Sequence, residues 1–208
     1  MGLFGPELSS LDKGLEAFAK RQWKKARAHL EDAAIENRST AGDYHLGLLY
    51  WRGLGGPEDR VAAHHCFRRA ADTGHAAAQT ALAIALRDKG AGGRDEAHAL
   101  FRSAAGAGDP AAMTELAQFC ARGDAMDLLE RASAQDHAPA MRALSDLWLE
   151  DDMIEALAWI YAAAASTGLR EDMRRAHQIA QEMTAGEIAA AQKLGKTRFK
   201  RLQEMRKL

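Results

Sequence analysis

His64-His65-Cys66 puts two imidazoles and a thiol in succession, the side chains of zinc sites and of nucleophilic catalysis. Neighbours on a helix diverge by about 100°, so these imidazoles do not chelate one ion together. The residue four positions after His64 is Arg68, and none of the eight histidines falls in an H-E-x-x-H or H-x₃-H arrangement, the spacing a helical zinc pair requires. Cys120 is the second thiol. It holds a repeat position occupied elsewhere by Tyr50, Leu86 and Trp148, which predicts a buried filler rather than a nucleophile. The two cysteines stand at non-equivalent positions of different helices and are expected to be reduced, unbridged thiols. The acidic run Glu150-Asp151-Asp152 falls at a predicted turn, where solvated carboxylates are ordinary. Two glycine clusters, Gly53-x-Gly55-Gly56 and Gly90-x-Gly92-Gly93, resemble phosphate cradles only superficially. They lie between predicted helices and lack the Lys-Ser/Thr that closes a phosphate loop. The expectation is no metal, no cofactor and no enzymatic activity. An enzyme with a site assembled between helices is the alternative from another class.

These residues are carried by a repeating frame. Leu46-Gly47, Tyr50, Gly53-x-Gly55-Gly56, Phe67, Ala70-Ala71 and Gly74 return as Leu82-Ala83, Leu86, Gly90-x-Gly92-Gly93, Phe101, Ala104-Ala105 and Gly108. The pattern returns again around Leu116-Ala117, Cys120, Leu129, Ala132 and Asp136. A further copy runs through Leu144-Ser145, Trp148, Trp159, Ala163-Ala164 and Gly168. Self-similarity at this period marks stacked helix pairs, each burying its apolar face against its neighbours. Asp109-Pro110 is an N-cap acceptor followed by proline at the first helical position, and Gly74, Gly108 and Gly168 stand where helices end in a left-handed residue. No alternating segment is long enough for a strand. The predicted fold is all-α, about five helix-turn-helix repeats with C-terminal capping helices. Residues 1–10 read as a flexible leader, with Ser9-Ser10 as a cap. Residues 11–40 read as a degenerate first helix pair, 41–169 as the repeats, and 170–208 as capping helices with a basic tail. Thr184-x-x-Glu187 is a capping box for the last helix.

Composition narrows function further. With 28 basic and 29 acidic residues, no global field steers the chain to nucleic acid. No run approaches the length of a membrane span, and Met1–Pro6 has no secretory character, so a cytoplasmic location is expected. From Lys193 to Leu208 there are seven basic residues against Glu204 alone. Leu194, Phe199, Leu202, Met205 and Leu208 share one helical arc there, interrupted by Arg198. That pattern reads mainly as a solvated capping or frayed helix.

The string Leu46-Gly47-x-x-Tyr50-x-x-Gly53-x-Gly55, followed by Phe67-x-x-Ala70-Ala71-x-x-Gly74, resembles the Sel-one-like repeats, relatives of the tetratricopeptide repeats. The resemblance covers residues 41–169, and the segment around Trp159 and Met183–Gln192 is similar to the closing segment of bacterial members. It implies a right-handed α-solenoid acting as an adaptor or scaffold for protein partners. It also implies that the first helix of each pair lines a concave groove. The groove columns would then be Tyr44, Thr80, Thr114 and Arg142, and Leu48, Ile84, Gln118 and Asp146, with Trp51, Arg52, Arg87 and Arg122 beside them. Trp, Tyr and Arg are the residues enriched at protein hot spots. The expected partner-binding set is Tyr44, Leu48, Trp51, Arg52, Ile84, Arg87, Gln118 and Arg122, taking a protein or peptide, an acidic one given the arginines. The alternative within binding roles is a dedicated regulator or inhibitor of one partner, as an immunity protein is of a toxin.

Overall fold

The computed structural model describes residues 8–36, 39–87 and 91–205. Among these there are twelve α-helices and no strand: α1 Ser10–Ala19, α2 Trp23–Glu36, α3 Thr40–Trp51, α4 Arg60–Asp72, α5 Ala76–Arg87, α6 Arg94–Gly106, α7 Pro110–Ala117, α8 Arg122–Ala134, α9 Ala138–Trp148, α10 Met153–Thr167, α11 Arg170–Ala180 and α12 Ala185–Met205. The first seven residues of the leader, Gly90 of the second glycine cluster and Leu208 of the tail lie outside the described residues.

The helix boundaries follow local chemistry. Ser9 and Asp12 form a reciprocal capping box on α1. Asp59 and Asp109 each accept from a backbone N–H three residues on, and Asp152 accepts from Ile154 and Glu155. Thr184 and Glu187 close the same kind of box on α12. Gly74, Gly108 and Gly168 have φ of 85°, 93° and 66°, and Asp136 takes the same left-handed conformation at 63°. Asp tolerates that region better than most residues, which is why the repeat survives without glycine there.

Two compact units divide the chain, up to Ala104 and from Ala105. In the amino-terminal unit α1 packs on α2, α2 on α3, and α4 on both α3 and α5. Its core gathers Ala17, Ala26, Leu30, Leu46, Leu49 and Cys66, with Phe18, Trp23 and Tyr50 around them. The Leu-Gly pair of the repeat has a steric reason. A Cβ on Gly47 would stand 2.6 Å from the Phe67 ring, so the glycine lets α3 and α4 approach over that phenylalanine. The glycine-rich turn folds back on α3: Gly53 N–H donates to Tyr50 O at 3.3 Å, Leu54 N–H to Leu49 O at 2.9 Å, and Asp59 N–H to Tyr50 O at 3.0 Å. These three donors serve the chain itself.

In the carboxy-terminal unit α10 is the central helix. Ala156–Ile160 and Ala162–Ala164 are all buried, as expected of a helix that is apolar on every side. Its most extensive partners are α9 and α12, and it also packs on α11. Far from being frayed, α12 is held against α10 along its length. Ala191, Gly195 and Leu202 are buried on it. Arg198, the break in the apolar arc, stacks its guanidinium 4.4 Å over the Trp159 ring and pairs with Glu155. The interruption is therefore a half-buried anchor. Gly195 sets the helix spacing, since a Cβ there would stand 2.9 Å from Ala158 O and 2.9 Å from Tyr161 Cβ. Gly195→Val should push α12 off α10 and lower stability by about 1–3 kcal/mol. Amide exchange should show protection lost along α12 first, and unchanged protection there would contradict this packing.

Candidate interaction surface

On α3 the buried side is Gly42, Asp43, Leu46, Gly47 and Leu49, while Tyr44, Leu48 and Trp51 are half-buried and Arg52 is exposed. The last four recur at i, i+4, i+7 and i+8, so they follow one side of the helix. Phe67 of α4, fully buried, binds this side together. The Tyr44 ring lies 6.4 Å from it and the Trp51 ring 6.2 Å. Tyr44 also meets His75 at 4.9 Å and His45 at 5.3 Å. Arg60, at the start of α4, lays its guanidinium 3.8 Å over the Trp51 ring and pairs with Glu58. Arg60 and His75 were not legible as members of this surface. They are neighbours through α4 and the α4–α5 turn, and no repeat column contains them.

His45 sits between rings, 4.5 Å from Phe18. Burial, with the nearby His75, lowers its pKa, so it is held neutral. Next to Tyr44 on α3, Asp43 is buried and accepts two hydrogen bonds from Arg69 of α4, the Nε one at 3.0 Å. The nearest thiol, Cys66, is pushed up to about 11 by burial, which keeps it protonated and a poor nucleophile.

The remaining expected residues separate. Ile84 and Arg87 are half-buried on α5. Thr80, in the Tyr44 column, is buried and donates to Ala76 O at 3.1 Å, so it contributes no groove surface. Gln118 and Arg122 belong to the other unit. Gln118 is exposed and donates to Glu115 at 3.2 Å. Arg122 does not border a groove with a free guanidinium, because it is engaged by Leu147 O at 2.5 Å and by Asp151. The fifth-repeat columns carry ion pairs as well. Arg142 donates to both oxygens of buried Asp172 on α11, at 2.6 and 2.9 Å, and Asp146 pairs with Arg175 of the same helix. These pairs tie α9 to α11, the Asp146 one at an exposed position. Cys120 is half-buried just beyond α7, with Sγ 3.4 Å from Leu116 O, because α7 ends at Ala117 before the core position is reached. Both cysteines are free thiols. Among the described residues no three His, Cys, Asp or Glu side chains cluster as metal ligands, and no helix is long and apolar enough to cross a membrane.

No protein-family model matches the chain, and no curated protein does. Solved structures do. A Sel1 repeat protein from Oxalobacter formigenes superposes with a TM-score of 0.69 at 20% identity, over 94% of this chain and 87% of that one. The immunity protein Pa5087 from Pseudomonas aeruginosa gives 0.62 at 19%, over 99% and 84%. The protective antigen c5321 of uropathogenic Escherichia coli, described as displaying an SLR fold, gives 0.56 at 18%; this chain covers 96% of itself and 55% of the antigen, about half its length. At such identities the likeness is one of fold, and with the repeat chemistry above it establishes that the chain is an all-α solenoid of helical repeats with the Sel1 repeat fold.

Proposed function

We propose that the chain is a non-catalytic scaffold of the cytoplasm that binds a protein or peptide partner on the Tyr44–Leu48–Trp51–Arg52 side of α3, with Ile84 and Arg87 of α5 extending the surface. The observation that carries this reading is the pair of half-exposed aromatics, Tyr44 and Trp51, fixed on either side of Phe67. Aromatic rings held rigidly by a core residue make good anchors, because little side-chain entropy is lost when a partner covers them. Arg52, exposed on this side, gives the rim a guanidinium that suits a carboxylate on the partner.

The test uses the partner captured with the full chain and purified. Trp51→Ala should weaken its binding by about 2 kcal/mol, roughly 30-fold, with melting temperature shifted by only a few degrees. An unchanged affinity in a folded variant would place the partner elsewhere. Collapse of the fold would make Trp51 a core residue.

A second reading, a dedicated inhibitor of one partner, is favoured by the likeness to an immunity protein over nearly the whole of this chain. It predicts a single partner whose toxicity on expression is relieved by co-expressing this chain. A scaffold would instead retain several partners.

A further inference from the structure

The carboxy-terminal unit holds a second feature, unrelated to the α3 surface. A cleft of about 560 Å³ opens on charged side chains of α11, but a cleft of about 440 Å³ between α10, α11 and α12 is different in kind. Tyr161, Ala164 and Ala165 of α10, Met173 of α11 and Phe199 of α12 line it, and no carboxylate does. Met173, at its mouth, is 53% exposed. Small residues, Ala164 and Ala165, stand between the flanking Tyr, Met and Phe, which leaves room for an incoming side chain. Methionine adapts its shape to whatever enters.

The rim supplies the charge. Lys196 lines the cleft, and Lys193 and Lys200 stand one turn before and one turn after it on the same face of α12, at i−3 and i+4. Lys193 and Lys196 are exposed and, among the described residues, form no ion pair; Lys200 reaches Glu204 at 3.8 Å. A row of cations one turn apart, beside an apolar cleft without acids, is complementary to a helix that carries carboxylates at the same spacing and a large apolar side chain between them.

We infer that this cleft is a docking site for an acidic amphipathic helix of a partner protein. The helix lies along α12 with a Leu or Trp inserted over Ala164 and Ala165, and its carboxylates meet Lys193, Lys196 and Lys200. The site is independent of the α3 surface, and either stands if the other fails.

The probe is a short fluorescein-labelled synthetic peptide, a Glu-rich amphipathic helix with Leu and Trp on its apolar face, titrated into the full chain. A counterpart with every Glu replaced by Lys is the control. The acidic peptide should bind saturably and shift the Met173 methyl resonance, assigned with Met173→Leu. Lys196→Glu, on an exposed position, should weaken binding about 10-fold or more. Ala165→Trp should fill the cleft and abolish binding with helicity unchanged, and Trp51→Ala should have no effect. The inference is overturned by absence of saturable binding, by equal binding of the lysine peptide, or by affinity unchanged in both Lys196→Glu and Ala165→Trp. It is equally overturned if the chain self-associates through the cleft, seen as a dimer that Ala165→Trp dissociates, or if the cleft binds only vesicles of anionic phospholipid.

Discussion

Arg142→Ala should destabilise the carboxy-terminal unit by about 3 kcal/mol. Asp172 is 2% exposed, and its carboxylate is held by both nitrogens of Arg142 and by the Thr167 hydroxyl at 2.8 Å. Removing the arginine leaves a buried carboxylate with one neutral donor, and such a charge costs far more than the pair contributes when intact. The pairing also sets a pH dependence. Arg142, then Thr167, holds the Asp172 pKa below the usual carboxylate range. A depressed folded value means the stabilisation is present above the unfolded pKa of about 3.9 and is lost as pH falls through the folded one. Wild type should therefore lose stability in acid, whereas in Arg142→Ala the buried carboxyl prefers its proton and the acid limb flattens or reverses. Urea unfolding at neutral and acid pH measures both effects. Replacing both residues by leucine should recover most of the loss, since two apolar side chains leave no charge to bury. A single variant indistinguishable from wild type would show that the pair is solvated.

Gly55→Ala should cost about 3 kcal/mol and loosen the amino-terminal unit, with the strain and the clash both contributing. Gly55 has φ of 79°, and a Cβ would stand 2.4 Å from Trp23 O and 2.9 Å from Lys24 N. These are backbone atoms at the start of α2, so the clash is relieved only by moving a helix. The sequence-equivalent Gly92 has open space around its Cβ and no left-handed φ. Gly92→Ala should be close to neutral. Thermal melts of the two variants side by side check the contrast, and equal shifts would contradict it.

That contrast shows what a sequence carries and what it withholds. Two glycines in one repeat pattern look alike as letters, yet one is required by contact with the preceding helix pair and the other is not. In the third repeat the tight position moves to Gly93, whose Cβ would meet Leu86 O at 2.5 Å. The all-α repeat frame was legible because caps, left-handed C-termini and the Leu-Gly/Phe pairing act within a few residues or between adjacent helices. The surface was only partly legible. The α3 face follows from helical spacing, so Tyr44, Leu48, Trp51 and Arg52 could be grouped from sequence. Columns running across repeats assume that every repeat leaves its first helix uncovered. At Arg142 and Asp146 α11 supplies Asp172 and Arg175 as ion-pair partners, and at Arg122 the acidic turn before α10 supplies Asp151, while Asp146 and Arg122 stay exposed. Both are long-range pairings of charges, for which spacing within a repeat gives no signal. Arg198 reads as a defect in an apolar arc until Trp159 and Glu155 are seen beside it.

The central claim is that the α3 side of the amino-terminal unit is where a protein partner binds. Amide hydrogen exchange on the full chain, with and without its purified partner, tests this most directly, because it reports the covered segment without a mutation. Protection should rise along Thr40–Trp51 and the start of α4 at Arg60, while α8 stays unchanged. Protection confined to α8, or absent from Thr40–Trp51 at saturating partner, would contradict the account.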